Sequence, residues 1–403
     1  MNLDEVSDPL RCGNAADVNV LMISDVYFPR INGVSTSIET FRRELSTLGV
    51  RSHLIAPAYP GEDANADITR VKSKKVWLDP EDRMMRYRDI VRLAQSLRGR
   101  KFDLIHIHTP FIAHYAGLAL ARELGLPCVL TYHTLFEEYL HHYIPFMPRA
   151  WSRPLARRFS REQCNAVNQV IVPSSAMLER LRAYGVRTPI EVLPTGIPLT
   201  QFTTRDASGF RSQYAIDPKR PVMLFVGRVA FEKNLAFLLR VIEIARGSHP
   251  EILLVIAGQG PAESRLKRLT RKLGLENNVR FIGYLDRVRE LPACYCAAEA
   301  FVFASDTETQ GLVLLEAMAA GVPVISTAVM GTRDILAPER GALVAPQDAA
   351  GFAATISRLL GDAALRARLA DEAPQYAREW ASDVMARRLA DFYHRAKVNH
   401  AAG

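Results

Sequence analysis

At 403 residues the chain is longer than one hydrophobic core ordinarily serves, so two domains of roughly 150–200 residues are expected. Its 48% apolar and 23% charged content excludes a disordered or fibrous protein, and it has no apolar run of about eighteen residues that would span a membrane as a helix. The net charge of +8 is concentrated: seven basic residues face Asp89 alone between Arg83 and Lys101, and five arginines face no acid between Arg149 and Arg161.

Residues 1–16 show no periodicity and are expected to form a mobile leader. Their start, Met1-Asn2-Leu3-Asp4-Glu5, is acidic where an export signal is basic, so a cytoplasmic location is expected. Val18 to Ser24 is a short apolar run of the kind buried in a parallel sheet, and the loop from Asp25 to Gly33 follows it. Ile38, Phe41, Leu45 and Leu48 then recur at helical spacing, with Gly49 placed to end the helix and Ser52 to Pro57 as the next strand. The alternation continues through Asp103–His108, a helix over Ala113–Leu124, Pro127–His133, a further helix and Gln169–Ser174. Strands alternating with helices predict a parallel sheet covered on both faces.

The pattern breaks from Pro194 to Lys219, where a linker is expected. A second alternation follows, with strands at Val222–Gly227, Ile252–Ala257, Val279–Gly283, Ala300–Ala304 and Pro323–Ser326, and a helical tail over about Ala350–Lys397. The fold class is therefore α/β, with two doubly wound Rossmann-like domains facing a cleft: 17–200, 201–380 and a helix from 381 returning to the first domain. Ligands of such sheets bind at the carboxyl ends of the strands. Five cysteines, Cys12, Cys128, Cys164, Cys294 and Cys296, are odd in number and scattered, which argues for thiols rather than a disulfide framework, and no ligand set for a metal is evident.

Chemistry concentrates at strand ends. Glu308 and Glu316 stand eight positions apart around an expected helix start at Gly311. In a continuous helix they would be roughly 12 Å apart, beyond the about 5–9.5 Å that carboxylates sharing one glycosidic bond need. They more plausibly hold two ends of one long polar ligand, with the backbone N–H groups near Gly311 open to an anion between them. A solvated Glu308 loop beside a capped helix is the alternative. Arg228 follows the buried strand that ends in Gly227, and Lys233 stands five residues later at a helix entry. Two cations at one strand end suit a diphosphate, whereas the alternative is a surface ion pair of Lys233 with Glu232. Gly33 allows close backbone approach from the first domain, or simply makes a turn. His133 ends a strand among Tyr132, Thr134, Glu137 and Tyr139. His106 and His108 are expected on opposite faces of theirs.

Together these motifs resemble the family 4 retaining glycosyltransferases, which have the GT-B fold. The resemblance runs from about Val18 to the C-terminal helices and rests most on Glu308 through Glu316 continuing to Gly321-Val322-Pro323, and on Gly227-Arg228 with Glu232-Lys233-Asn234. It implies that Arg228 and Lys233 hold the donor diphosphate, Glu308 the transferred hexose and Glu316 the ribose. Gly33, Gly311 and Leu312 would line the donor, and His133 would lie beside the reacting carbon. The donor would be a UDP- or GDP-hexose, used as substrate without cofactor or metal. Within the family, Asn32-Gly33-Val34-Ser35-Thr36-Ser37 and Thr131 through Tyr139 look most like the diacylglycerol glycosyltransferases, which implies a lipid acceptor. Mannosyltransferases acting on other lipids or glycans share the glycine loop.

Arg153, Arg157 and Arg161 share one helical face, Arg158 adjoins it, and Trp151, Leu155 and Phe159 give a neighbouring apolar stripe. Such a helix suits an anionic membrane surface, with the protein peripheral on the inner face of the cytoplasmic membrane. A solvated helix packed on the sheet is the alternative. No nucleic-acid-binding motif is present, so a basic protein binding nucleic acid is the weaker, non-enzymatic reading. A sugar-nucleotide epimerase or a phosphorylase is the nearer rival.

Overall fold

The computed structural model describes residues 18–60, 65–75, 83–135, 137, 149–202, 206–287 and 289–401. The expected leader, residues 1–16, and Tyr139 lie outside the described residues.

The first sheet contains β1 (Asn19–Ile23), β2 (Arg51–Pro57), β3 (Ile68–Val71), β6 (Leu104–Ile107), β7 (Cys128–Thr131), β8 (Gln169–Val172) and β9 (Ile190–Val192), the small antiparallel pair β4 (Ser73–Lys75) and β5 (Arg83–Met85) standing apart. Its order is β3-β2-β1-β6-β7-β8-β9, and every pairing is parallel. The second sheet contains β10 (Val222–Val226), β11 (Leu253–Ala257), β12 (Val279–Gly283), β13 (Ala300–Phe303), β14 (Val324–Ser326) and β15 (Ala342–Val344), in the order β12-β11-β10-β13-β14-β15, again all parallel. Two doubly wound Rossmann-like domains are thus present, as the alternating pattern predicts.

The central strands are legible because helices cover both faces of a parallel sheet, leaving no solvent face to carry polar residues. Every residue of β6, β10, β11 and β13 is buried. At about 1.5–3 kcal/mol for each large side chain removed from water, these strands dominate the stability of their domains. The strands not predicted from sequence, β3, β4, β5, β9 and β15, are three or four residues long and partly exposed, so they lack that apolar run.

The tail forms helices at Ala349–Gly361, Ala363–Ala377 and Ser382–Ala401. The first two pack in the second domain through Phe352, Ile356, Leu369 and Tyr376. The last crosses back: Met385, Leu389, Phe392 and Tyr393 join the core of Val20, Met22, Leu54 and Leu104. Where the chain crosses, Ile197 N donates to Trp380 O (3.0 Å) and Ser382 N to Ile197 O (2.9 Å), so the outgoing and returning strands run side by side. Arg395 with Glu191 (2.8 Å) and Lys397 with Asp103 (2.9 Å) flank the returned helix.

In each sheet the strand order reverses direction between two central neighbours, β1 and β6 in the first and β10 and β13 in the second. Helices leave such a point to opposite faces, so a crevice opens beyond the strand ends. Gly33 lies beyond β1, Arg228 and Lys233 beyond β10 and Glu308 beyond β13, while His133 follows β7, the neighbour of β6.

Candidate active site

The second domain supplies two loops at its switch point. After β10, Gly227 adopts φ 151° and donates its N–H to Ala257 O (3.0 Å). The backbone of Gly258 lies so close to Gly227 O that a Cβ there would sit 1.9 Å from it. That contact brings the β10 and β11 exits together and leaves Arg228 exposed at the strand end, its side chain without a hydrogen-bond or ion-pair partner among the described residues. After β13, Ser305 Oγ donates to Glu232 O (3.1 Å), and Lys233 Nζ meets Glu308 Oε2 at 2.5 Å. The sequence alternative of a Lys233–Glu232 pair is thus corrected: Lys233 reaches across the switch point to Glu308. Both side chains of that pair are under one-fifth exposed, so solvent screens it only partly.

The helix carrying Glu316 begins at Leu312, not at Glu308. Gly311 stands at its N-cap with φ 101°, a left-handed conformation costly for any residue with a Cβ, and Glu308 lies in the loop before it. The continuous-helix distance between the two carboxylates therefore does not apply. Leu314 N donates to Gly311 O (3.0 Å), while the first amides of a helix, here those of Leu312 and Val313, have no acceptor within it and are the groups an anion at a helix start would meet. Glu316 is buried, at 4% exposure. Its Oε1 accepts from Arg287 Nη2 (2.7 Å) and its Oε2 from the Tyr295 hydroxyl (2.8 Å). The Glu316 charge raises the Arg287 guanidinium above its ordinary value, and burial drives the Tyr295 phenol well above its own. Neither Arg287 nor Tyr295 was singled out from sequence, since nothing local links them to a carboxylate more than twenty positions on.

In the first domain, Gly33 opens the helix Gly33–Thr47. Asn32 caps it by accepting from Ser35 N (2.9 Å), and Ser35 Oγ accepts in return from Asn32 N (2.9 Å). A Cβ built on Gly33 meets nothing within 4 Å, so the space at this helix start is open. His133 follows β7 and is half-buried, and burial lowers its pKa to about 4, so the ring is neutral at physiological pH. The expectation that His106 and His108 face opposite sides of the sheet is corrected: residues two apart on a strand share a face. Strand β6 ends at Ile107, His108 follows it directly, and the two rings lie 4.0 Å apart. His108 in turn stacks on His133, with ring centroids 5.7 Å apart. Beside them, the buried carboxylate of Asp25 accepts from Thr109 Oγ1 (2.8 Å) and Ala113 N (3.1 Å), pinning the helix Ile112–Leu124. Burial raises the Asp25 pKa to about 6.

The loop that carries Glu308 is clipped to the first domain and the linker. Ser174 Oγ donates to Thr309 O (2.7 Å), and Ser175 N donates to Asp334 Oδ2 (2.7 Å). The Gln310 side chain accepts from Thr195 N (2.9 Å) and donates to Thr195 O (2.6 Å), and the Thr195 hydroxyl meets Ser37 Oγ at 2.7 Å. Ser37 belongs to the Gly33 helix. A continuous chain of bonds thus joins that helix, through the linker, to Gln310 in the loop between Glu308 and Gly311.

The basic helix spans Arg149–Asn165. Its charge is less free than the sequence implies. Arg157 Nε donates to Glu137 Oε1 at 3.1 Å, and Arg153 approaches the same carboxylate at 3.9 Å. Arg158 pairs with Glu162 at 2.7 Å on the open surface. Against the burial that would raise it, Arg157 and the Tyr184 hydroxyl hold the Glu137 carboxyl below its usual range. Leu155 is 47% exposed, Phe159 is half-buried, and the Trp151 side chain lies outside what is described. Among the described residues no helix is long and apolar enough to cross a membrane.

Comparison with known proteins agrees with this geometry. Residues 31–201 match the model of Glycosyltransferase Family 4, and residues 207–376 match that of Glycosyl transferases group 1. The chain is 30% identical to the alpha-monoglucosyldiacylglycerol synthase of Streptococcus pneumoniae over 76% of its length and 70% of that protein's. It is also 30% identical to a GDP-mannose-dependent alpha-mannosyltransferase of Mycobacterium tuberculosis, over 82% of this chain and 84% of the relative. Among solved structures, Anabaena HepE in complex with UDP-glucose superposes with a TM-score of 0.71 at 18% identity, over 93% of this chain and 99% of that one. Sucrose-phosphate synthase from Thermosynechococcus elongatus does so with a TM-score of 0.73 at 22% identity, over 94% and 99%. At such identities the structures speak for the fold, which is GT-B. With two facing Rossmann-like domains, a Lys233–Glu308 pair at the switch point and relatives that match along most of both chains, the protein belongs to glycosyltransferase family 4 and is a hexosyltransferase.

Proposed function

We propose that the protein transfers a hexose, with retention of anomeric configuration, from a nucleoside diphosphate sugar to a lipid acceptor, diacylglycerol foremost, forming an α-linked glycolipid. The observation that carries the reading is the Lys233–Glu308 contact at the second domain's switch point, with Arg228 exposed at the end of β10 and Glu308 on a loop bonded through Gln310 and Thr195 to the Gly33 helix of the first domain. Two cations and a helix N-terminus suit a diphosphate leaving group, and a carboxylate beside them suits sugar hydroxyls. The lipid acceptor is favoured by the Streptococcus relative, an alpha-monoglucosyldiacylglycerol synthase. A mannose donor is the second reading, favoured by the mycobacterial relative.

In the proposed mechanism, Arg228, Lys233 and the amides after Gly311 stabilise charge as the bond from the anomeric carbon to the phosphate oxygen breaks. The acceptor hydroxyl approaches the same face, its oxygen bonds to the anomeric carbon, and its proton passes to the departing phosphate oxygen. Neutral His133 orients the reacting groups from the first domain and carries no charge through the step. Donor turnover screened over UDP- and GDP-hexoses, with diacylglycerol in mixed micelles, tests this. Glycolipid formed from one donor and bearing an α linkage is the expected result; donor turnover with a soluble glycan but none with any lipid would remove the acceptor.

The same reading places the protein at the cytoplasmic face of an anionic membrane, with Arg158 and Arg161 on the exposed side of the basic helix. At about 1 kcal/mol per cation near such a surface, the pair Arg158→Ala and Arg161→Ala should lower partition onto vesicles containing anionic lipid by about tenfold or more. Sedimentation with anionic and with zwitterionic vesicles measures it. Equal pelleting of wild type and variant would clear this helix of the role.

A further inference from the structure

The three histidines at the ends of β6 and β7 hold more information than a neutral His133. His108 is 3% exposed, and its backbone N–H continues the sheet by donating to Ile23 O (3.0 Å), so the ring has little freedom. His108 Nδ1 lies 3.4 Å from His133 Nε2, with the rings inclined by 24°. One proton can occupy that contact. On the other side of the ring, His108 Nε2 is buried and has no hydrogen-bond partner among the described residues.

That asymmetry selects a tautomer. If His133 Nε2 carried the shared proton, neutral His108 would carry its own on Nε2, as a buried N–H with no acceptor. If His108 Nδ1 carries it, the unpartnered Nε2 is only a lone pair. Orphaned buried donors are rarer in proteins than under-used acceptors, because a donor stripped of water loses its single bond outright. His106 cannot offer an alternative. Its Nδ1 is taken by the Tyr393 hydroxyl at 2.6 Å and its Nε2 by Thr131 Oγ1 at 2.6 Å, and it meets His108 only by ring packing.

We propose that His108 is a positioning residue that donates from Nδ1 to His133 Nε2, and so holds the His133 proton on Nδ1. His133 then offers a hydrogen-bond donor to whatever oxygen lies at its other nitrogen, and its Nε2 is not available as a base. Tyr393, from the helix that returns from the second domain, completes the stack through His106. The catalytic consequence rests on the reading that His133 lies beside the reacting carbon; the tautomer assignment does not.

Long-range proton–nitrogen correlation spectra of the unliganded, histidine-labelled protein read the tautomers directly, assigned with single His→Asn and His→Leu variants. Expected are a protonated Nδ1 on both His108 and His133. His108→Leu should lower kcat by about 10–100-fold, the range found when groups that orient site histidines are removed, with donor KM little changed. His108→Asn, whose side-chain amide can keep a donor near the Nδ1 position, should recover most of that loss. A proton on His108 Nε2 overturns the proposal, as does wild-type kcat in a folded His108→Leu protein. Wild-type turnover in His133→Ala would instead remove the placement of His133 at the reacting carbon, and the spectra of the unliganded protein would still decide the tautomer.

Discussion

Arg228→Ala is expected to lower kcat/KM for hexose transfer by about 10²–10³-fold, the usual effect of removing one preorganised donor from a site of developing negative charge. Folding should be unaffected to within about 0.5 kcal/mol. The reason is structural: the Arg228 side chain is exposed and has no partner among the described residues, so nothing in the fold depends on it. Its position is nonetheless constrained, because the contact between Gly227 and Gly258 holds the β10 exit against the β11 exit. Arg228→Lys should recover part of the loss, since it restores the charge but not the planar fork that matches a phosphate. Steady-state kinetics beside thermal melts make the measurement. Unaltered turnover in the alanine variant would sink the diphosphate assignment.

Glu316→Ala should show the opposite balance, with stability and nucleotide affinity both reduced. The Tyr295 hydroxyl, fully buried, would lose its carboxylate acceptor, which costs about 1–3 kcal/mol. Arg287 adds little to this, because its side chain is 38% exposed and solvent screens the charge left behind. If Glu316 holds the ribose, losing a hydrogen bond to a charged group should also weaken nucleoside diphosphate binding by about 10–100-fold. Glu316→Gln separates the two effects. It keeps an acceptor for Tyr295, so more of the stability survives, while the charge that ribose hydroxyls would meet is gone. Denaturant midpoints and calorimetric titration with UDP and GDP check both quantities. Wild-type affinity in both variants would remove the ribose role and leave Glu316 as a structural anchor for Arg287 and Tyr295.

Much of the architecture was legible from residue order. The runs at Val222–Val226 and Leu253–Ala257 read as buried parallel strands because both faces of such a strand need apolar side chains. Gly227, Arg228, His133 and Glu308 were legible as site candidates for the same reason: each directly follows or closely trails such a run, where a doubly wound sheet collects its ligands. The short strands β3, β9 and β15 were not, because a few half-exposed residues carry no periodicity.

The partners of the site residues were hidden more deeply. Helical spacing made Arg153, Arg157 and Arg161 one basic face, yet Glu137, from before the helix, takes two of the three. Strand alternation sets His106 and His108, two residues apart, on one face, yet it could not show that His108 would also meet His133 beyond the end of β7.

The sequence alone determined two parallel domains, the strand ends at which charge and glycine gather, and the family to which their spacing belongs, because those depend on local periodicity and on which residues a backbone turn permits. Only the tertiary structure decided that Lys233 pairs with Glu308, that Arg287 and Tyr295 hold Glu316, and that Gln310 ties the loop after Glu308 to Thr195. These are contacts between segments far apart in the chain, brought together by the burial of sheets and helices, and no local pattern encodes which polar group will be waiting on the other side.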